Sequence, residues 1–142
     1  MVDTAALQKY SLFGGLLPEE VERIRPLLGH EEHAPGELVM REGEPNDRIY
    51  FIVEGRVEVS RRGVVLGELG EGETFGEMEL LDVMPSAATV KVLAPLSVAT
   101  ITNRAVHEIF RLEPRSFALI MMNLARDLSR RLRRMDGIVS GA

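Results

Sequence analysis

The chain has 142 residues, with 17 Lys or Arg against 22 Asp or Glu and a formal net charge of −5. That length predicts one domain with a real core, and the acidic balance argues against wholesale nucleic-acid binding. No cysteine is present, which excludes a disulfide framework and a thiolate metal site and fits a reducing cytoplasm.

The opening MVDTAALQKY carries no basic segment and no long apolar run, so no secretory leader is expected. No stretch approaches the ~20 apolar residues of a membrane span. Residues 3–28 read as a helical entry. Asp3 or Thr4 caps a short helix through Lys9, and Ser11-Leu12-Phe13-Gly14-Gly15 breaks it. Pro18-Glu19-Glu20 opens a second helix, since proline suits the first turn and acids complement the macrodipole. Val21, Ile24, Leu27 and Leu28 form its buried face, and Pro26 and Gly29 bring it to an end.

Residues 29–102 read as β-structure. Turn signals recur at Pro35-Gly36, Gly43–Asp47, Gly55, Arg62-Gly63, Gly70-Glu71-Gly72 and Pro95. Short strands at that interval predict a barrel or a double-sheet roll. Ile49–Val53 is a continuous apolar run, as in a strand buried on both faces. Val57 and Val59 alternate with Glu58 and Ser60, as in a half-exposed strand. Arg61-Arg62-Gly63 reads as a hairpin tip. Val90-Lys91-Val92 and Leu96–Ile101 supply the last strands.

Residues 75–90, FGEMELLDVMPSAATV, interrupt that pattern. Gly76 allows a sharp backbone turn. Glu77–Leu81 follows as about one helical turn, and Pro85-Ser86 stops it. A glycine corner leading into a helix presents unpaired N–H groups, which attract anions and phosphate above all. Ser86, Ala87 and Ala88 are small enough for a ligand to approach the backbone opposite.

Residues 103–136 read as two helices. Thr102 and Asn103 are N-cap types, and Arg104–Leu112 follows. A longer helix runs from Pro114 to about Met135, with Asp136-Gly137 ending it and Ile138–Ala142 as a loose tail. Phe117, Ile120, Met121, Leu124, Leu128, Leu132 and Met135 trace one apolar stripe. It suits core packing, a dimer seam or a ligand lid. Arg126, Arg130, Arg131, Arg133 and Arg134 make the other side basic, and such a run reads first as a solvated face.

The 75–90 segment resembles the phosphate-binding cassette of cyclic nucleotide-binding domains, whose pattern is F-G-E-[LIM]-A-L, a short spacer, then P-R-A-A-[ST]-V. Phe75, Gly76, Glu77, Leu80, Pro85, Ala87, Ala88, Thr89 and Val90 match without a gap. Two positions depart. The family's phosphate-pairing arginine is Ser86, and its small residue facing the phosphate is Glu79. The helical entry and the segment from Pro35 to Val57 resemble the same family, so the likeness covers nearly the whole chain. It implies a mainly antiparallel β-roll with flanking helices in one domain, 1–142. It implies a ligand among Phe75, Gly76, Glu77, Met78, Glu79, Ser86, Ala87, Ala88 and Thr89. Glu77 would accept a hydrogen bond from the ribose 2′-hydroxyl. Ala87, small and aliphatic, would go with cAMP rather than cGMP.

No catalytic constellation is present. His30 and His33 alternate along a strand with Glu31 and Glu32 and do not converge on one metal. No Ser–His–Asp spacing or nucleophile elbow occurs. The expectation is a cytoplasmic regulatory module without catalytic activity, metal or bound cofactor. It would take a cAMP-like nucleotide and couple it to movement of the C-terminal helices. The alternative is a degenerate domain that binds no nucleotide and serves in homodimerisation, through the last helix, or in contact with another protein. A DNA-binding regulator is the third reading. It is disfavoured because nothing after Met135 is long enough for a helix-turn-helix.

Overall fold

Two long antiparallel strands form the spine of the domain. The computed structural model describes residues 4–77 and 84–139, with side chains described as far as Arg134. Strand β3 (Arg48–Arg61) pairs with β6 (Thr89–Thr102), from Arg48 opposite Thr102 to Ser60 opposite Thr89. The sheet runs β1 (Gly29–His33), β6, β3, β4 (Val64–Leu69), with β2 (Leu38–Met40) on β6 and β5 (Thr74–Phe75) on β3. Among the described residues it is an antiparallel roll that does not close into a barrel.

The strands are longer than the turn signals at Gly55 and Pro95 predict. Neither residue ends a strand; β3 and β6 continue through them and bend together, with register shifts between Ile52 and Val57. Gly55 has φ +105°, and a Cβ there would lie 2.4 Å from the Pro95 carbonyl oxygen. A glycine inside a strand marks such a close backbone approach. Here it permits a bend instead of a turn.

The run at Ile49–Ile52 is buried on both faces, as its apolar character predicts. Ile49 and Phe51 join the helical core with Leu12, Phe13, Ile24 and Ile120. Tyr50 and Ile52 join the roll interior with Val57, Phe75, Val90 and Val98. The hairpin tip lies at Arg62 and Gly63, both with positive φ (53° and 77°), as in two-residue turns that match strand twist.

The helical entry forms α1 (Thr4–Leu7) and α2 (Pro18–Ile24). The Leu17 amide donates to Glu20 Oε1 at 2.8 Å, closing the first turn of α2. Helix α3 (Asn103–Leu112) is capped by Thr102, whose Oγ1 accepts from the Ala105 amide at 3.1 Å. Helix α4 spans Pro114–Val139, so it passes through Gly137 rather than ending there; one interior glycine costs only ~1 kcal/mol. Ile120 and Leu124 of α4 are buried in the helical core. Asn123 Nδ2 donates to the Leu12 and Gly14 carbonyls, each at 3.0 Å. Leu132, further along the stripe, is 60% exposed. The first half of the stripe is therefore core packing. No helix among the described residues is long and apolar enough to cross a membrane.

Candidate site at the glycine corner

The site grows from the end of β5. Phe51 pairs with Thr74 and Tyr50 with Phe75. The Phe75 ring stacks on Tyr50 with centroids 4.7 Å apart. Burial, with the nearby Glu31 charge, pushes the Tyr50 phenol up to about 12, so it stays neutral. Both rings belong to the roll core, which anchors the residue that follows.

Gly76 turns the chain with φ +85°. A Cβ there would meet the Arg48 carbonyl at 2.7 Å and Asn46 Nδ2 at 2.9 Å. Asn46 Nδ2 donates to that same carbonyl at 2.8 Å and to the Gly76 carbonyl at 3.1 Å. The corner is thus clamped to the start of β3, and only glycine fits. It delivers Glu77 into a buried position, with its side chain 5% exposed.

A guanidinium from α4 covers Glu77. Arg131 Nη1 lies 3.2 Å from Glu77 Oε1. Its Nη2 donates to the Thr74 carbonyl at 2.7 Å and lies 3.3 Å from Thr74 Oγ1. Thr74 is itself 1% exposed. A charge-assisted pair with so little solvent is among the stronger polar contacts. Arg131 is therefore not part of a solvated face, as the reading of the arginine run expected. The available signal was its place: it continues the Leu124–Leu128 stripe at a spacing of three. Thr74 was likewise missed, because a lone threonine before Phe75 looks like any strand residue.

On the opposite side, Ser86 is buried at 4% exposure. Its amide donates to the Glu44 carbonyl and its carbonyl accepts from the Gly43 amide, both at 2.9 Å. Thr89 Oγ1 accepts from the Glu42 amide at 3.1 Å. These bonds hold the segment against the 42–44 turn. Ala87 and Ala88 are half-buried. The expected contacts of Met78 and Glu79, and the short helix through Leu81, lie outside the described residues.

A cleft of about 500 Å³ lies between the Gly72–Glu73 turn and α4, lined by Glu73, Asp127, Arg130, Arg131, Arg133 and Arg134, among others; none of the described residues expected to hold the ligand lines it. It shares Arg131 with the Glu77 pair and lies on the α4 side. His33 sits elsewhere, on β1, between Glu31 Oε1 and Glu37 Oε2 at 2.8 Å each. Burial pulls its pKa down, but the Glu37 and Glu31 carboxylates outweigh that and raise it. Among the described residues no group of His, Asp and Glu is arranged to hold a metal.

The sequence profile of the cyclic nucleotide-binding domain matches residues 30–113, more than half of the chain. The chain belongs to the cyclic nucleotide-binding domain family. A cAMP-dependent protein kinase regulatory subunit of Debaryomyces hansenii is 34% identical over 67% of this chain and 21% of its own length. A CRP-like cAMP-activated global transcriptional regulator of Mycobacterium tuberculosis is 28% identical over 92% of this chain and 58% of its own. The chain thus spans between about a fifth and three fifths of these regulators. A solved cyclic nucleotide-binding domain from Methylobacillus flagellatus superposes with a TM-score of 0.85 over 98% of this chain and 82% of that one, at 23% identity. The first of these is a kinase regulatory subunit and the second a transcriptional regulator.

Proposed function

We propose that this domain is a regulatory module that binds a cAMP-like cyclic nucleotide at Gly76–Glu79 and Ser86–Thr89, and that the bound state is passed to α3 and α4. One observation carries the reading: Glu77, the acceptor for a ribose hydroxyl, is buried at a glycine corner and held by a residue of the last helix. A change at the cassette therefore has a direct route to α4. The nucleotide would shift the position of α4 only by its differential affinity for the two arrangements.

Ser86 offers a hydroxyl and no charge. Truncating one member of a buried charge pair costs about 2–5 kcal/mol, so binding should be weaker by tens to thousands of fold than with an arginine there. Ala87 favours cAMP over cGMP as the family likeness implies. Titration calorimetry with both nucleotides tests this. The expected result is saturable cAMP binding that tightens at least tenfold in Ser86→Arg.

A second reading has its own support. The lost cassette arginine and the occupied Glu77 both suit a domain that has given up nucleotide and works in dimerisation or protein contact. No heat with millimolar nucleotide, in the wild type and in Ser86→Arg alike, would leave this reading alone standing.

A further inference from the structure

We propose that the open edge of β4 is a self-association site, where a second copy of this chain pairs antiparallel to the first about a two-fold axis at Val65. This holds whether or not the domain binds nucleotide. Strand β4 ends the sheet: among the described residues it pairs with β3 and with no other strand. An open edge invites a further strand, and proteins ordinarily blunt it with charge, proline or a bulge. A bulge is present, since Leu66 has no partner in the β3 register, but the residues around it are apolar. Val64, Val65 and Leu66 stand in a row and are 62%, 56% and 57% exposed. Successive side chains of a strand point to opposite faces, so neither face of the hairpin covers this run.

The order of residues selects the occupant. Arg62-Gly63-Val64-Val65-Leu66-Gly67-Glu68 is nearly palindromic in chemical type about Val65, with opposite charges at its two ends. A two-fold axis makes residue i meet residue j and j meet i. In antiparallel pairing centred on Val65, that residue faces its own copy, Val64 faces Leu66, and the Arg61–Arg62 tip lies by Glu68 of the second copy. Opposite charges across a strand pair stabilise it and like charges oppose it, so a parallel alignment, with arginines beside arginines, is disfavoured. The tip is fixed by the Arg62 amide, which donates to Glu42 Oε1 at 2.8 Å. Glu68 meets Arg56 of its own chain at 2.9 Å yet stays 53% exposed, and a carboxylate can accept a second cation. Six residues span only about 20 Å. One such strand offers less than the ~800 Å² per partner of a standard interface, so the association is weak and follows concentration.

Sedimentation equilibrium of the chain should show the mass rising from monomer towards dimer between about 1 μM and 1 mM. Val65→Lys should weaken that association by about tenfold or more, because like charges would then lie directly opposite. Its urea midpoint should not change, since the side chain is exposed. The chain has no cysteine, so single cysteines report the register. Directly opposite residues have Cα atoms about 4.5–5.5 Å apart, within disulfide reach. Under mild oxidation Val65→Cys should cross-link to itself, and Val64→Cys should cross-link to Leu66→Cys faster than either does to itself. A monomer throughout the range overturns the proposal. So does a dimer that Val65→Lys leaves intact and that Leu132→Cys cross-links instead, which would place the contact on α4. Equal cross-linking in every pairing overturns the antiparallel register. A chain that stays monomeric but sediments with phosphatidylserine vesicles, and loses that in Val65→Lys, would make the edge a membrane contact and overturn the second copy as its occupant.

Discussion

Gly76→Ala is the sharpest test of the corner on which the site depends. At φ +85° an alanine pays ~1–2 kcal/mol for the left-handed backbone. Its Cβ would also sit 2.7 Å from the Arg48 carbonyl oxygen, and that oxygen belongs to a paired strand that cannot easily retreat. Overpacking of this kind costs about 1–3 kcal/mol. Asn46 Nδ2, at 2.9 Å, would be displaced from its two carbonyl partners, at about 1 kcal/mol for a lost hydrogen bond. The total is about 3–6 kcal/mol. Gly36 is the control: its φ is +91° and nothing lies within 4 Å of its virtual Cβ, so Gly36→Ala should lose only the backbone share of ~1–2 kcal/mol. Urea unfolding measures both. With m of ~1–3 kcal/mol/M, Gly76→Ala should lower the midpoint by more than about 1 M with m unchanged. Equal losses in the two variants would refute the claim that crowding at the corner, rather than φ alone, demands glycine.

Two further outcomes follow from contacts away from the corner. Asn123→Ala leaves the Leu12 and Gly14 carbonyls without their donor and should destabilise the domain by about 1–3 kcal/mol; a loss under about 0.5 kcal/mol, the size of a neutral surface change, would show that α4 does not depend on this tie. His33 has a folded pKa raised above its ordinary 6.5, against the pull of burial, by Glu37 and Glu31. Its contribution is therefore fully present below 6.5 and is lost as pH rises through the raised value. Unfolding midpoints across neutrality should fall more steeply for wild type than for His33→Gln, and parallel pH curves would argue against the pairing in solution.

The sequence by itself determined the class of fold. Alternation at Val57–Ser60, the apolar run at Ile49–Val53 and the glycine-proline punctuation are local signals, and local physics reads them. The ungapped match from Phe75 to Val90 is likewise a local signal, and the candidate site proposed above starts from it. Local signals misled where distant backbone decided the outcome. Gly55 and Pro95 look like turns, yet they face each other across β3 and β6 and make a shared bend. Gly137 looks like a stop, yet the helix runs on to Val139. What only the tertiary structure decided is which arginine of the α4 run is engaged. Five arginines within nine residues are alike as sequence, because charge repeats at every position of that helix face. The packing of Leu124 and Asn123 against the helical entry sets the rotation of α4, and that rotation alone lays Arg131 over Glu77, 54 residues away.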